Sequence, residues 1–255
     1  LAPWIESTCG RGPALVHRSF YLIGIAESAF ADRAGEWMAR GAKPLMGVTA
    51  HTGILKVTLR ASAASREHAQ AQLDERAAQL RERFAAELYS ETEGRPAFAV
   101  GSLFRERGKT LALAESCTGG MIAELLTEMP GASAVLRAGW VAYSNEAKTS
   151  ALGVPRELIE RHGAVSREVA LALARGALER SDADVALAVT GVAGPDGGTP
   201  EKPVGLVWFA TAAREGASVH EEAHEMRYAP LGRSTVRRFA AHTGLDLLRR
   251  AVQRL

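Results

Sequence analysis

The sequence predicts an α/β protein, with a layered α/β/α domain at its C-terminal end and a smaller α+β domain before it. Three observations carry this. Strand and helix signals alternate from residue 110 to the end, the pattern of helices packed on a sheet. The first half instead holds a hairpin followed by one long amphipathic helix. Between them, Glu91 to Pro96 is polar and helix-breaking. The predicted domains are 19–92 and 97–255, with residues 1–18 a tail marked by Pro3, Gly10, Gly12 and Pro13.

In the smaller domain, Tyr21-Leu22-Ile23-Gly24-Ile25 is a short apolar stretch before a helix over Ala29–Arg40. Met46–Thr49 and Ile54–Leu59 read as two strands around Thr52-Gly53, with Leu55, Val57 and Leu59 alternating onto one face. Ser65 is a suitable N-cap. Behind it Ala69, Leu73, Ala77, Leu80, Phe84 and Leu88 recur at spacings of three and four, the stripe of an amphipathic helix. Its charged face reads as solvated surface.

In the larger domain, Thr110–Ala114, Gly139–Tyr143, Val185–Val189 and Val204–Thr211 are strands. Met121–Glu128, Pro155–His162, Ser166–Arg180 and Arg233–Leu255 are helices, with Pro155 at a helix start and Ser166 a cap.

Composition narrows function. The 255 residues are 47% hydrophobic and 24% charged, ordinary globular values. Aromatics are 6%, which argues for backbone-lined sites over an aromatic platform. A net charge of +2 lacks the basic excess of a nucleic-acid binder. Cys9 and Cys117 are too few for a disulfide framework, so a reducing cytoplasm is the expected setting. No apolar run is long enough for a membrane span. The seven histidines, His51, His162 and His242 among them, show no metal-ligand spacing, and the reading calls for no metal or cofactor.

Three segments put small or polar residues where a strand ends, the usual place for sites in open α/β sheets. Glu115-Ser116-Cys117-Thr118-Gly119-Gly120 joins a strand to a helix. It is either an anion or oxyanion cradle, with Thr118 capping the helix, or a tight turn that needs glycine. Tyr143-Ser144-Asn145-Glu146-Ala147-Lys148 groups a phenol, an amide and an amine. Lys148 serves as a base if it is desolvated; otherwise the segment is a polar surface turn, which its spacing favours. Thr190-Gly191-Val192-Ala193-Gly194-Pro195-Asp196-Gly197-Gly198-Thr199 is a loop dense in glycine, able to wrap a ligand with backbone groups or to be a flexible surface loop.

Taken together, the segments TLALAESCTGG (110–120), GWVAYSNEAK (139–148), LGV (152–154), HGAVSREVA (162–170), AVTGVAGPDGG (188–198), EKPVGLV (201–207) and Gly232-Arg233 resemble the C-terminal domain of the CinA family, the PncC-type nicotinamide-nucleotide amidase domain. Residues 19–92, with GIAES at 24–28, resemble the KH-like middle domain of the same family. No G-x-x-G loop with basic neighbours accompanies them, so RNA binding is not implied. Full-length members begin with a molybdopterin-binding-like domain. Residues 1–18 resemble its last few residues, and any pyrophosphatase activity of that domain is not expected of this chain.

The resemblance implies hydrolysis of the carboxamide of nicotinamide mononucleotide to nicotinate mononucleotide and ammonia, and a homodimer or larger assembly. Carried over by motif, the nucleophile is Ser133, in Gly131-Ala132-Ser133 where members often show Gly-Ser-Ser, with Tyr143 and Lys148 as partners. Neutral Lys148 would take the Ser133 proton, directly or through Tyr143. Backbone N–H groups of Thr118-Gly119-Gly120 or of Thr190-Gly191 would hold the oxyanion. Ser116 and Asn145 would complete the substrate contacts, and Arg233 with the Gly119-Gly120 helix N-terminus would hold the phosphate. The alternative is a non-catalytic nucleotide-binding or scaffold module linked to competence or DNA damage.

Overall fold

The computed structural model describes residues 13–255, and the chain divides between Gly94 and Arg95 into two compact units. The first runs β1 (Ala14–Ile23), α1 (Glu27–Ala34), β2 (Leu45–His51), β3 (Ile54–Ala63), α2 (Arg66–Arg83) and β4 (Leu88–Ser90). Its strands form an antiparallel sheet in the order β2-β3-β1-β4. Leu55, Val57 and Leu59 are buried under Leu73, Ala77 and Leu80 of α2. The Ser65 hydroxyl accepts from the His68 N–H at 3.3 Å, so the helix starts where its cap is encoded.

Four expectations change here. Residues 14–18, read above as tail, begin β1; residues 1–12 lie outside the described residues. The first helix starts at Glu27 and ends at Ala34, followed by a 3-10 turn over Gly35–Met38. The second ends at Arg83, and Leu88 belongs to β4. The strands of the hairpin run longer, to Leu45–His51 and Ile54–Ala63.

The second unit comprises α3 (Pro96–Glu106), β5 (Leu111–Glu115), α4 (Met121–Thr127), β6 (Leu136–Val141), α5 (Asn145–Leu152), α6 (Arg156–His162), α7 (Arg167–Glu179), β7 (Val185–Gly191), β8 (Leu206–Glu215), β9 (Ser218–Arg227) and α8 (Arg233–Arg254). The sheet order is β6-β5-β7-β8-β9. β6, β5 and β7 are parallel; β8 and β9 are antiparallel additions at one edge.

The alternation within these strands builds the three layers. Leu111, Leu113, Val185, Leu187, Val189, Val207 and Phe209 face one side, against α3, α4 and α8. Ala112, Ala114, Ala186, Ala188, Ala210 and Ala212 face the other, against α5, α6 and α7. An alanine surface lets helices approach closely. Gly176 of α7 shows this: a Cβ there would lie 2.0 Å from the Leu152 carbonyl oxygen of α5. Sequence reading missed α3, α5 and β9. β9 reads SVHEEAHEMR, the half-solvated face of an edge strand, with few of the β-branched and aromatic residues that mark strands.

Candidate active site

At the C-terminal ends of the three parallel strands, residues at or just past each strand end line one pocket of about 200 Å³. From β5 come Ser116 and Cys117, from β6 Tyr143, Asn145 and Lys148, and from β7 Thr190, Gly191 and Ala193; Ala164, Val165 and Arg233 complete it. Ligands bind at this end of an open α/β sheet because the loops there diverge around a crevice.

Lys148 is 2% exposed. Ser144 caps α5 by accepting from the Ala147 N–H at 3.1 Å, which sets the helix that carries the lysine. Nζ of Lys148 donates to the Tyr143 carbonyl at 3.1 Å and to the Ser144 carbonyl at 3.4 Å, and among the described residues no carboxylate lies within ion-pair distance of it. Burial holds its pKa below the ordinary lysine value. The same burial pushes the Cys117 thiol up to about 12, so it is no thiolate at neutral pH. Ser116 is buried, its N–H bonded to the Val189 carbonyl at 2.9 Å.

Tyr143 stands at the mouth, 56% exposed. Its hydroxyl accepts from Arg233 at 2.5 Å, and the other guanidinium nitrogen reaches the Gly194 carbonyl at 3.0 Å. Thr190 donates its hydroxyl to the Ala164 carbonyl at 2.9 Å, tying the loop before α7 to the end of β7. Gly191 admits no side chain: a Cβ would lie 2.7 Å from Val207 Cγ2 and 2.8 Å from the Leu206 carbonyl oxygen.

Ser133 is not among the residues that line this pocket. It is exposed, in a 3-10 turn over Ala132–Ala134 that leads into the start of β6, whereas Tyr143 and Lys148 follow its end. Six strand residues intervene, on the order of 20 Å. This corrects the expectation that Ser133 meets Tyr143 and Lys148 within the chain: motif spacing gives chain order, but a strand between two residues carries them to opposite ends of the sheet.

The helix N-terminus at Gly119-Gly120 also differs from expectation. The carboxylate of Glu115, buried at the end of β5, accepts from the N–H groups of Gly120 at 3.1 Å, Ile122 at 3.1 Å and Ala123 at 2.9 Å. The cap of α4 is therefore this glutamate, and phosphate has no free N–H cluster to occupy there. Thr118 does not cap the helix; its hydroxyl is buried and has no hydrogen-bond partner among the described residues. Thr118, Gly119 and Gly120 lie off the pocket lining. Arg237 of α8 holds the turn from outside, donating to the carbonyls of Cys117 at 3.1 Å and Thr118 at 2.7 Å.

Sequence reading did not single out Ala164, Val165 or Ala193. They carry no reactive group, and their signal is only membership of the HGAV and TGVAG segments. Among the described residues no group of three or more His, Cys, Asp or Glu could hold a metal ion, and no helix is long and apolar enough to cross a membrane.

Comparison with known proteins agrees with this architecture. The family described as CinA C-terminal domain matches residues 95–252, and the Damage-inducible protein CinA KH domain matches residues 17–90. The chain belongs to the CinA family. It is 42% identical over 248 residues to a CinA-like protein of Parasynechococcus marenigrum, an alignment covering 97% of this chain and 58% of that one. It is 44% identical over 246 residues to a CinA-like protein of Gemmatimonas aurantiaca, covering 95% and 56%. The chain thus spans little more than half the length of these curated CinA relatives. Among solved structures, the competence/damage inducible protein CihA from Agrobacterium tumefaciens superposes with a TM-score of 0.59 at 49% identity, covering 62% of this chain and 93% of that one.

Proposed function

We propose that this pocket hydrolyses the carboxamide of nicotinamide mononucleotide to nicotinate mononucleotide and ammonia, with Ser116 as nucleophile and Lys148 as its base. The observation that carries the reading is the meeting of a buried serine and a buried lysine in one pocket at the strand ends. The family, which includes amidases of this type, is its second support.

Lys148 disfavours its own charge through burial. As the neutral amine it gives its two N–H bonds to the Tyr143 and Ser144 carbonyls and keeps a lone pair. That lone pair takes the Ser116 hydroxyl proton, and the alkoxide attacks the amide carbon. The Lys148 ammonium returns the proton to the leaving nitrogen, and ammonia departs. Water, deprotonated by Lys148, then cleaves the acyl ester; the Lys148 ammonium gives that proton to the departing Ser116 oxygen, which releases the acid and restores both side chains.

The oxyanion contact comes from the end of β7. Both backbone groups of Val192 bond toward the start of β8, its N–H donating to the Leu206 carbonyl and its carbonyl accepting from the N–H of Gly205, just before the strand, each at 2.8 Å. By strand alternation the Gly191 N–H faces away from β8, toward the β5 side where Ser116 sits. The N–H groups of Gly119 and Gly120 are already spent on the Ser116 carbonyl and Glu115.

The pocket is smaller than the ~300 Å³ lower bound for sites that enclose a drug-sized ligand. It takes the carboxamide ring, and the sugar and phosphate extend past the mouth toward Arg233. Ammonia release compared across nicotinamide, its riboside and its mononucleotide tests this directly. The reading expects turnover only, or overwhelmingly, of the phosphorylated form; no release from any of the three would sink it.

A further inference from the structure

One wall of the pocket is held by side chains rather than by secondary structure. Ala164 and Val165 line it, in a stretch between α6 and α7 that starts at Gly163, φ +75°. Three successive carbonyls of this stretch are each caught by a side chain. The Ala164 carbonyl accepts from Thr190 Oγ1 at 2.9 Å, the Gly163 carbonyl from Ser166 Oγ at 2.9 Å, and the His162 carbonyl from Lys202 Nζ at 2.5 Å. Ser166 is local, and Thr190 lies near the end of β7. Lys202 reaches in from beyond the glycine-rich loop, 40 residues along the chain from His162.

We propose that Lys202 is a positioning residue for the amide substrate: it fixes the Ala164-Val165 wall to the glycine-rich loop and so sets the width open to the ring. The role rests on the amidase reading above. Lys202 is not among the residues that line the pocket, and it acts through the wall alone. A site that orients a small ring by contact on its faces depends on how firmly those faces are held.

Three further observations support it. The backbone of Lys202 closes the loop: its N–H donates to Thr199 Oγ1 and its carbonyl accepts from the Thr199 N–H, each at 3.0 Å. One residue thus joins the loop that carries Gly191 and Ala193 into the pocket to the wall made by Ala164 and Val165. The second is the glycine under the ammonium. A Cβ at Gly163 would lie 2.6 Å from Lys202 Nζ, so any side chain there would displace it. The third is electrostatic. Nζ sits at the C-terminal end of α6, where the last carbonyls favour a cation, which offsets the half-burial of Lys202. The contact gives the HGAV and EKPV segments one shared task.

The test measures steady-state ammonia release from nicotinamide mononucleotide, and backbone amide NMR relaxation, in the unmodified chain, Lys202→Met and Lys202→Arg. Methionine keeps the apolar stem and loses the donor. It is expected to raise KM about tenfold, inside the ~100-fold that a misplacement of ~1 Å can cost. Because Ser116 and Lys148 are untouched, kcat should stay within about threefold. Lys202→Arg keeps a charged donor and should restore most of the lost affinity. In Lys202→Met the order parameters of the Ala164 and Val165 amides should fall from about 0.85 toward the ~0.6 of flexible backbone. An unmoved KM overturns the role, as does a kcat loss as large as the rise in KM, or equal impairment of the Met and Arg variants. So does a KM effect that disappears at high salt, the sign of a direct charge contact with the phosphate. If Lys202→Met is not recovered folded, Lys202→Gln carries the same predictions. Absence of ammonia release from the unmodified chain removes the amidase reading itself, and the order parameters then decide whether Lys202 holds the wall. Release with an unmoved KM removes only the part assigned to Lys202.

Discussion

Arg233 donates to the Tyr143 hydroxyl at 2.5 Å, linking the first turn of α8 to the residue just past β6 across the pocket mouth. A cation at a helix N-terminus opposes the helix dipole. Gly232 gives no side-chain cap, and no acidic residue occupies the first turn. The guanidinium is held instead by the Tyr143 oxygen and the Gly194 carbonyl. An anionic substrate group here would meet both the charge and the helix end.

Arg233→Gln is therefore expected to weaken use of the mononucleotide by about 10- to 100-fold in kcat/KM, the range for losing one hydrogen bond to a charged group. The riboside should be little affected. Steady-state ammonia release with both substrates checks this, and equal losses on the two would contradict a phosphate role.

Ser116→Ala is expected to reduce ammonia release by more than about a thousandfold, as loss of a nucleophile does. Ser133→Ala should leave both activity and stability near wild type, within about 0.5 kcal/mol as for other surface substitutions. The opposite result would return the nucleophile to Ser133 and require a second chain to bring it to the pocket.

Lys148→Met should cost roughly 100- to 10,000-fold in turnover, the usual span for a general base. The lowered Lys148 pKa fixes the sign of the pH dependence. The folded protein loses this proton before the unfolded chain does, so the rate should climb on a limb centred below the ordinary value of 10.5. Stability follows by linkage. The penalty for burying the ammonium is complete below the folded pKa and fades as pH rises from there toward 10.5, where the unfolded chain binds the extra proton. A pH–rate profile and urea melts at several pH values read the two effects; a rate that falls through that window would rule out the neutral amine as base.

Gly176→Ala should destabilise the protein by about 1–3 kcal/mol or more, since the new methyl would meet the Leu152 carbonyl. Because Leu152 ends the helix that carries Lys148, turnover should fall with stability. Thermal denaturation with parallel ammonia release measures both. An unchanged Tm would mean that α5 and α7 separate freely.

Much of the fold was legible before the structure. The Ser65 cap, the Leu55-Val57-Leu59 face, and the Leu/Ala alternation of LALA and VALAV are local codes, read from neighbours in the chain. α5 was not legible as a helix, because Asn145–Leu152 is short and polar and is held by its Ser144 cap and its packing on α7. β9 was hidden for a similar reason: its pairing with β8, rather than its own composition, makes it a strand.

The site divides the same way. The sequence by itself determined that Ser116, Tyr143, Asn145, Lys148, Thr190, Gly191 and Arg233 belong to segments that end strands or begin helices. Only the tertiary structure decided which of them meet. β6 carries Ser133 and Lys148 to opposite ends of the sheet, and Glu115 fills the helix end that a phosphate was expected to take. The physical reason is one of range. Caps, turns and alternation act within a few residues and leave their trace in the chain, whereas strand order, strand direction and the burial of a charge are set by contacts between segments far apart in sequence.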